Sequence, residues 1–203
     1  MPVKPVVVVG YSREQVIEWL EQKAEVVIQE QQLGTGHAFA CALKVCKAKK
    51  VLLLNGDIAL VNRSTVMGLL DGALDSKVGI VTTELEDFEA ERSAFEKFGR
   101  IVRDSLGTVK SIVEYKDADE EQRKLTEVNG GVYLFDREWV MAKLDELNDD
   151  NEAHEYYITD FVKMAYSEKE KVFALKVDYK QLFGVNTPEE LELVKEIMEK
   201  NRV

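Results

Sequence analysis

Gln32-Leu-Gly-Thr-Gly-His37 separates two stretches of opposite character. Residues 24–29, A-E-V-V-I-Q, form a short β-branched run of the kind that packs into a sheet. Residues 38–50 carry alanines, Phe39 and Leu43 at helical spacing. The two glycines around Thr35 therefore occupy a strand-to-helix turn. At such a turn the first backbone N–H groups of the helix lack intrahelical partners and are free to face a ligand. Glycine lets a ligand approach the backbone, Thr35 is placed to cap the helix, and Gln29 and Gln32 offer amide donors and acceptors. A tight turn without a ligand accounts for Gly34 and Gly36 equally well, so the rest of the chain has to decide.

Outward from this turn the pattern is strand, helix, strand, helix. Residues 6–9, V-V-V-V, read as a buried parallel strand, followed by a helix from Ser12 with Gln15 as its capping-box partner. The helix after the glycine turn is expected over residues 35–47, and residues 51–54, V-L-L-L, form a third buried strand ending at Asn55-Gly56-Asp57. Ser64 is expected to cap a helix through Leu70, and residues 78–85 give a fourth strand. This order predicts a mostly parallel α/β sheet with helices on both faces. Residues 99–103 and 109–115 flank the turn Asp104-Ser-Leu-Gly107 and read as an antiparallel hairpin. A charged helical turn at 117–124, a strand at 128–135, helices at 136–147 and 158–166, and a strand at 171–177 follow. Thr187-Pro188-Glu-Glu190 opens the last helix with a cap, a proline at its first position and a box partner. One α/β domain over residues 1–203 with an antiparallel insertion is the expectation.

Composition narrows the function. The chain has 203 residues, enough for one sizeable core, and is 45% hydrophobic with only three prolines, which fits a folded protein. A net charge of −11 without a basic block argues against nucleic-acid binding. An anionic small molecule is compatible, because backbone N–H groups and a divalent metal carry phosphate charge locally. No apolar run reaches transmembrane length, and Met1-Pro-Val-Lys-Pro leads into the first strand without the form of a signal peptide, so no membrane partner and a cytoplasmic location are expected. Cys41 and Cys46 lie on one helix at a spacing unsuited to a disulfide and read as reduced thiols. His37 and His154 do not pair with them at zinc spacing, and no nucleophile elbow, H-E-x-x-H or P-loop motif occurs.

Several polar positions remain. Ligands of open α/β sheets bind beyond the carboxyl ends of the strands, where Asn55-Gly56-Asp57 lies. Asp57 there is able to hold Mg²⁺, which takes one or two protein oxygens beside phosphate oxygens; a plain turn is the competing reading. Gly99 opens a strand, which marks close approach of a ligand or a bulge. Glu114 ends the next strand beside Lys116, a pattern also met as solvated charge. Asn129-Gly130-Gly131 puts an amide and two glycines inside an otherwise good strand, a local cost of the kind found at functional positions. Asn186 follows Gly184 ahead of the last helix and offers a neutral oxygen at the same edge as Asp57. The pair Tyr156-Tyr157 reads as packing.

In order and spacing, V-I-Q-E-Q-Q-L-G-T-G-H-A, L-N-G-D, F-G-R-I-V, I-V-E-Y-K-D-A-D-E-E-Q-R, E-V-N-G-G-V, E-Y-Y-I-T-D and G-V-N span Val27 to Asn186. Together they resemble the nucleotidyltransferase half of the bifunctional enzyme family that makes UDP-N-acetylglucosamine. The resemblance implies a Rossmann-like, GT-A-like fold and transfer of a uridylyl group from UTP to N-acetylglucosamine 1-phosphate, with Mg²⁺ and release of pyrophosphate, in cytoplasmic synthesis of a cell-wall precursor. It implies that Gln29, Gln32, Gly34 and Thr35 contact the uracil side of the nucleotide, and that Asn55, Gly56 and Asp57 form the ribose and phosphate edge. Gly99, Glu114 and Asn129 become the sugar pocket, and Asp57 with Asn186 the catalytic metal ligands.

The chain also departs from that family. The family begins with a strand and a G-x-G-T-x-M loop, then a proline–lysine pair whose lysine reaches the phosphates; here residues 6–9 align with the family's second strand. The left-handed β-helical acetyltransferase half of that family is not expected within residues 1–203. An aromatic usually stands where Asn55 does, and a hydroxyl residue where Gly130 does. The expectation is a domain incomplete at its amino end, with a sheet edge open to a second copy or a complementing chain. The alternatives to an enzyme are an impaired nucleotide-sugar-binding module or a truncated fragment.

Overall fold

A computed structural model describes residues 4–200; the opening Met1-Pro-Val, expected only to lead into the first strand, lies outside them. The elements are β1 (Val6–Val9), α1 (Arg13–Leu20), β2 (Glu25–Ile28), α2 (Thr35–Leu43), β3 (Lys50–Leu54), α3 (Arg63–Gly72) and β4 (Val78–Glu84). They continue with β5 (Arg100–Arg103), β6 (Val109–Val113), α4 (Glu120–Arg123), β7 (Glu127–Asp136), α5 (Arg137–Lys143), α6 (Asp160–Ser167), β8 (Val172–Lys176) and α7 (Pro188–Lys200). None of the helices among the described residues is long and apolar enough to cross a membrane.

The long strand β7 organises the main sheet. Along one edge it pairs with β4, which in turn pairs in parallel with β8. Its other edge changes partner midway. Residues 132–136 pair with β3, whereas Val128 pairs with Arg100 of β5, whose hairpin partner is β6. Strands β3, β4, β5 and β8 point one way and β6 and β7 the other, so the Rossmann-like α/β layout holds although β7 makes its own ladders antiparallel. The glycines of β7 explain the local cost noted in its sequence. Gly130-Gly131-Val132 face the single residue Val81 across a bulge. A side chain on Gly130 would meet the Val81 carbonyl oxygen at 2.8 Å, and Gly131 sits at φ 66° against Asn55 and Ile58.

Helices cover both faces. One core layer joins Phe39 and Leu43 of α2 to Tyr133, Phe135, Trp139 and Phe161; the other joins Leu69, Phe95, Leu134, Phe183 and Val194. Arg100 is wholly buried, flanked by the rings of Phe88 and Tyr115, and donates to the carbonyls of Glu96, Phe98 and Arg123. The cysteines are free thiols.

Several capping expectations need correction. Ser12 adopts the left-handed conformation and makes no side-chain cap. Asn62 caps α3, accepting from Thr65 N, while Ser64 donates to Asn62. Helix α2 stops at Leu43 rather than at residue 47. The capping box ahead of α7 is present, with Glu190 Oε2 accepting from Thr187 N and Thr187 Oγ1 accepting from Glu190 N. The largest difference concerns β1 and β3. Both were expected to be buried, yet β1 pairs with β2 in a separate two-stranded sheet, and most residues of β1 and β3 are half exposed.

Candidate functional site

The candidate site is the place where the edge of β7 changes partners. Chain leaving β3 separates there from chain entering β5, and Asn129–Gly131 of β7 forms the floor between them. Asn55 N donates to Gly131 O at 3.1 Å on one side, and Asn129 N donates to Gly99 O at 2.9 Å on the other. An open α/β sheet places its ligand crevice at such a switch of strand order.

On the β3 side, Asn55-Gly56-Asp57 turns outward. Gly56 is exposed, with open space where a side chain would stand. Asp57 O accepts from Val185 N at 3.0 Å, which ties this turn to the segment ahead of α7. A side chain on Gly184 would stand 3.2 Å from Asp57 Oδ2 and 3.4 Å from Asn186 Nδ2, so both side chains close on one glycine. Among the described residues the Asp57 carboxylate has no hydrogen-bond or ion-pair partner. One free carboxylate beside an amide whose rotation exchanges nitrogen for oxygen makes a hard-oxygen donor pair, which fits Mg²⁺.

On the β5–β6 side, Gly99 is buried, and a side chain there would meet Ile112 at 2.9 Å and Glu114 Oε2 at 3.3 Å. Glycine at this position makes room for the Glu114 carboxylate, which Thr159 holds by a 3.0 Å hydrogen bond to Oε1. Burial pushes the Glu114 carboxyl above its ordinary range; the Thr159 bond opposes this, and Asp117, Asp160 and Glu155 add to it. Asn129 Nδ2 donates to the Tyr133 hydroxyl at 2.6 Å, and its Oδ1 accepts from Gly131 N at 3.2 Å. The bonds orient the amide and leave its second N–H free. Thr159 and Tyr133 were not singled out from sequence. Thr159 lay inside the quoted E-Y-Y-I-T-D motif, but only the fold brings it to Glu114.

The glycine turn is built differently from expectation. Gly34, not Thr35, occupies the cap position of α2, at φ 104° and with no side-chain cap. The Thr35 hydroxyl instead accepts from Ile158 N at 3.1 Å. Gly36 N donates to Tyr156 O at 2.7 Å, and Tyr156 N donates to Leu33 O at 2.8 Å. Side chains on Gly34 and Gly36 would meet Tyr156 O at 2.7 and 2.9 Å. The close backbone approach that these glycines permit is thus made by the protein's own segment 155–158. Gln29 Nε2 spans the turn to Gly34 O at 3.1 Å and to His37 Nδ1 at 2.9 Å, leaving its Oε1 free; Gln32 is exposed and packs over Gly10.

Comparison with known proteins gives a consistent picture. The nucleotidyl transferase family matches residues 5–181. The chain is 36% identical over 198 residues to the bifunctional protein GlmU of Clostridium botulinum strain 657, covering 95% of this chain and 42% of that protein. It is 39% identical over 197 residues to the bifunctional protein GlmU of Corynebacterium diphtheriae, covering 91% of this chain and 39% of that one. The chain therefore spans less than half the length of these relatives. Among solved structures, HddC from Yersinia pseudotuberculosis superposes with a TM-score of 0.63 at 20% identity, covering 97% of this chain and 80% of that one, a likeness of fold.

Proposed function

Because the chain belongs to the nucleotidyl transferase family, we propose that it forms the site at which UTP and N-acetylglucosamine 1-phosphate meet, giving UDP-N-acetylglucosamine and pyrophosphate. The observation that carries this reading is the pairing of two unlike half-sites across Asn129–Gly131. Asp57 and Asn186 crowd Gly184 on one side, and Glu114 lies against Gly99 on the other.

In this reading the sugar lies against Gly99, with the Glu114 carboxylate and the free N–H of Asn129 bonding its polar groups. The uracil lies near Gly34, where Gln29 Oε1, Gln32 and the Thr35 hydroxyl remain available. Asn55 and Gly56 line the ribose and phosphates. A sugar-phosphate oxygen attacks the α-phosphorus of UTP; the new P–O bond forms as the bond to the β-phosphate oxygen breaks, and pyrophosphate leaves. Mg²⁺, when bound, supplies charge neutralisation on the phosphate oxygens, and Asp57 and Asn186 would hold it. The protein's share of such a step is positioning and electrostatic stabilisation. The partners are small molecules, in a cytoplasmic setting, without nucleic acid or membrane.

A second reading, an impaired nucleotide-sugar-binding module that needs a complementing chain, is favoured by one observation. The Gly36 N–H at the start of α2 is consumed by Tyr156, so this turn offers a phosphate fewer donors than its sequence promises. Calorimetry with UDP-N-acetylglucosamine, and pyrophosphate release from the two substrates, separate the readings. Mg²⁺-dependent binding is expected, with turnover below the ordinary enzyme range of about 1–10³ s⁻¹. Turnover within that range removes the second reading; neither binding nor turnover removes both.

A further inference from the structure

The first turn of α2 carries a histidine whose ring no step of the proposed reaction uses. His37 Nδ1 lies 2.9 Å from Gln29 Nε2. The same Gln29 nitrogen donates to Gly34 O at 3.1 Å. A carbonyl oxygen only accepts, so this second bond fixes which end of the Gln29 amide is nitrogen. Gly34 O also accepts from Ala38 N at 3.1 Å, so both of its lone pairs have donors. An amide nitrogen carries two hydrogens. With one spent on Gly34 O, the other points at His37 Nδ1, which must therefore be the unprotonated ring nitrogen. The ring proton then sits on Nε2, 4.0 Å from the sulfur of buried Cys41, one turn further along the helix.

This arrangement decides what Gln29 turns outward. Both amide hydrogens are taken, so among the described residues the side chain offers one free acceptor, Oε1, and no donor. Gln29 is held at the end of β2, where its N–H donates to Val9 O at 2.8 Å. The turn it spans is bonded to segment 155–158 through Gly36 N and Thr35 Oγ1. A protonated ring would reverse the arrangement. Nδ1 would become a donor facing a donor, and turning the amide over to meet it would set Oε1 against Gly34 O. Two charged residues flank this turn. Glu155 has its Cβ 2.8 Å from where a Gly34 side chain would begin, and Glu30 is paired with Arg13 at 2.9 Å. Among the described residues neither they nor any cation pairs with the His37 ring.

We infer that His37 is a positioning residue for base selection: its Nδ1 holds the Gln29 amide so that Oε1 stands as a lone acceptor, which favours uracil over cytosine. The inference rests on the function proposed above, which sets the base beside Gly34. Uracil N3 carries a hydrogen that Oε1 accepts. Cytosine N3 carries a lone pair instead, which Oε1 repels, and no hydrogen of the Gln29 amide is free to compensate. Protonation of His37 releases the amide from this orientation and weakens the preference.

The test compares UDP and CDP binding by calorimetry in Mg²⁺, at about pH 7.5 and about pH 5.5, for the parent, His37→Phe and His37→Asn. The ratio of the two affinities cancels any change in the phosphates, which both nucleotides share. The parent should prefer UDP at the higher pH. That preference should shrink about three- to tenfold, the span of one neutral hydrogen bond, both in His37→Phe and in the parent at the lower pH. In His37→Asn the new side-chain carbonyl takes the place of Nδ1 and does not titrate, so the preference should survive at both values. Histidine and glutamine side-chain ¹⁵N signals of the nucleotide-free parent need neither variant nor ligand. They should show the ring proton on Nε2 at the higher pH and a Gln29 amide that shifts as the ring protonates. A proton on Nδ1 there, or a preference unchanged in His37→Phe and at the lower pH, overturns the positioning role. A parent that binds neither nucleotide, with the ring as described, overturns the function proposed above and base selection with it; the ring signals tell the two failures apart.

Discussion

Thr159 Oγ1 donates to Glu114 Oε1 at 3.0 Å across 45 residues of chain. This single bond joins the residue ahead of α6 to the end of β6 and gives an enclosed carboxylate a donor. Thr159→Val keeps the side chain's shape and removes that donor, so the Glu114 carboxyl should titrate at still higher pH. Loss of a hydrogen bond to a charged group should also cost the fold about 1.5–3 kcal/mol at neutral pH. Carboxyl NMR titration checks the first effect and urea unfolding the second; an unmoved Glu114 titration would show that Thr159 does not hold it.

The raised pKa of Glu114 has a definite sign in the pH dependence of stability. The folded chain binds this proton more tightly than the unfolded chain, so the residue is least costly below the ordinary glutamate pKa of about 4.3. Stability should fall as pH rises from there through the folded pKa. Glu114→Gln removes that decline and should be more stable than the parent at neutral pH, while binding N-acetylglucosamine 1-phosphate more weakly. Unfolding midpoints from pH 4 to 8 check this. Parallel curves for the two proteins would contradict it.

Asp57→Asn should leave stability within about 0.5 kcal/mol of the parent, because the carboxylate it removes has no partner among the described residues. Affinity for UDP-N-acetylglucosamine in Mg²⁺ should fall toward the level that the parent shows with the metal chelated. If the variant keeps the full response to Mg²⁺ in calorimetry, Asp57 is not a metal ligand.

Gly34→Ala forces a side chain into φ 104° and against Tyr156 O at 2.7 Å. The cost should be about 1–3 kcal/mol. Exchange at Tyr156 and Ile158 should rise with it, because the turn and segment 155–158 are bonded together. A neutral substitution would mean that the turn relaxes without its partner.

Arg100→Met should destabilise by at least about 2 kcal/mol, since the carbonyls of Glu96, Phe98 and Arg123 lose their donor in a buried place. Chemical denaturation gives the number. A loss below about 0.5 kcal/mol would show that water replaces the guanidinium.

The local pattern of the sequence was enough to place nearly every strand, the hairpin of β5 and β6, and the capping box before α7, because period and turn chemistry act over a few neighbouring residues. It also singled out Asn129 with its two glycines as a costly break in a strand, Gly99 as a place of close approach, and Asp57 and Asn186 as oxygens at one sheet edge, while Glu114 drew its expected role from the family resemblance. Only the tertiary structure decided what those irregularities are for. The edge of β7 changes partner at Asn129–Gly131, Gly99 makes room for a carboxylate from another strand, and the glycines of the opening turn admit Tyr156 from more than a hundred residues away. Likewise β1 and β3 are apolar enough for a sheet interior. Whether they join one sheet or two depends on long-range pairing, and periodicity carries no information about which strands pair.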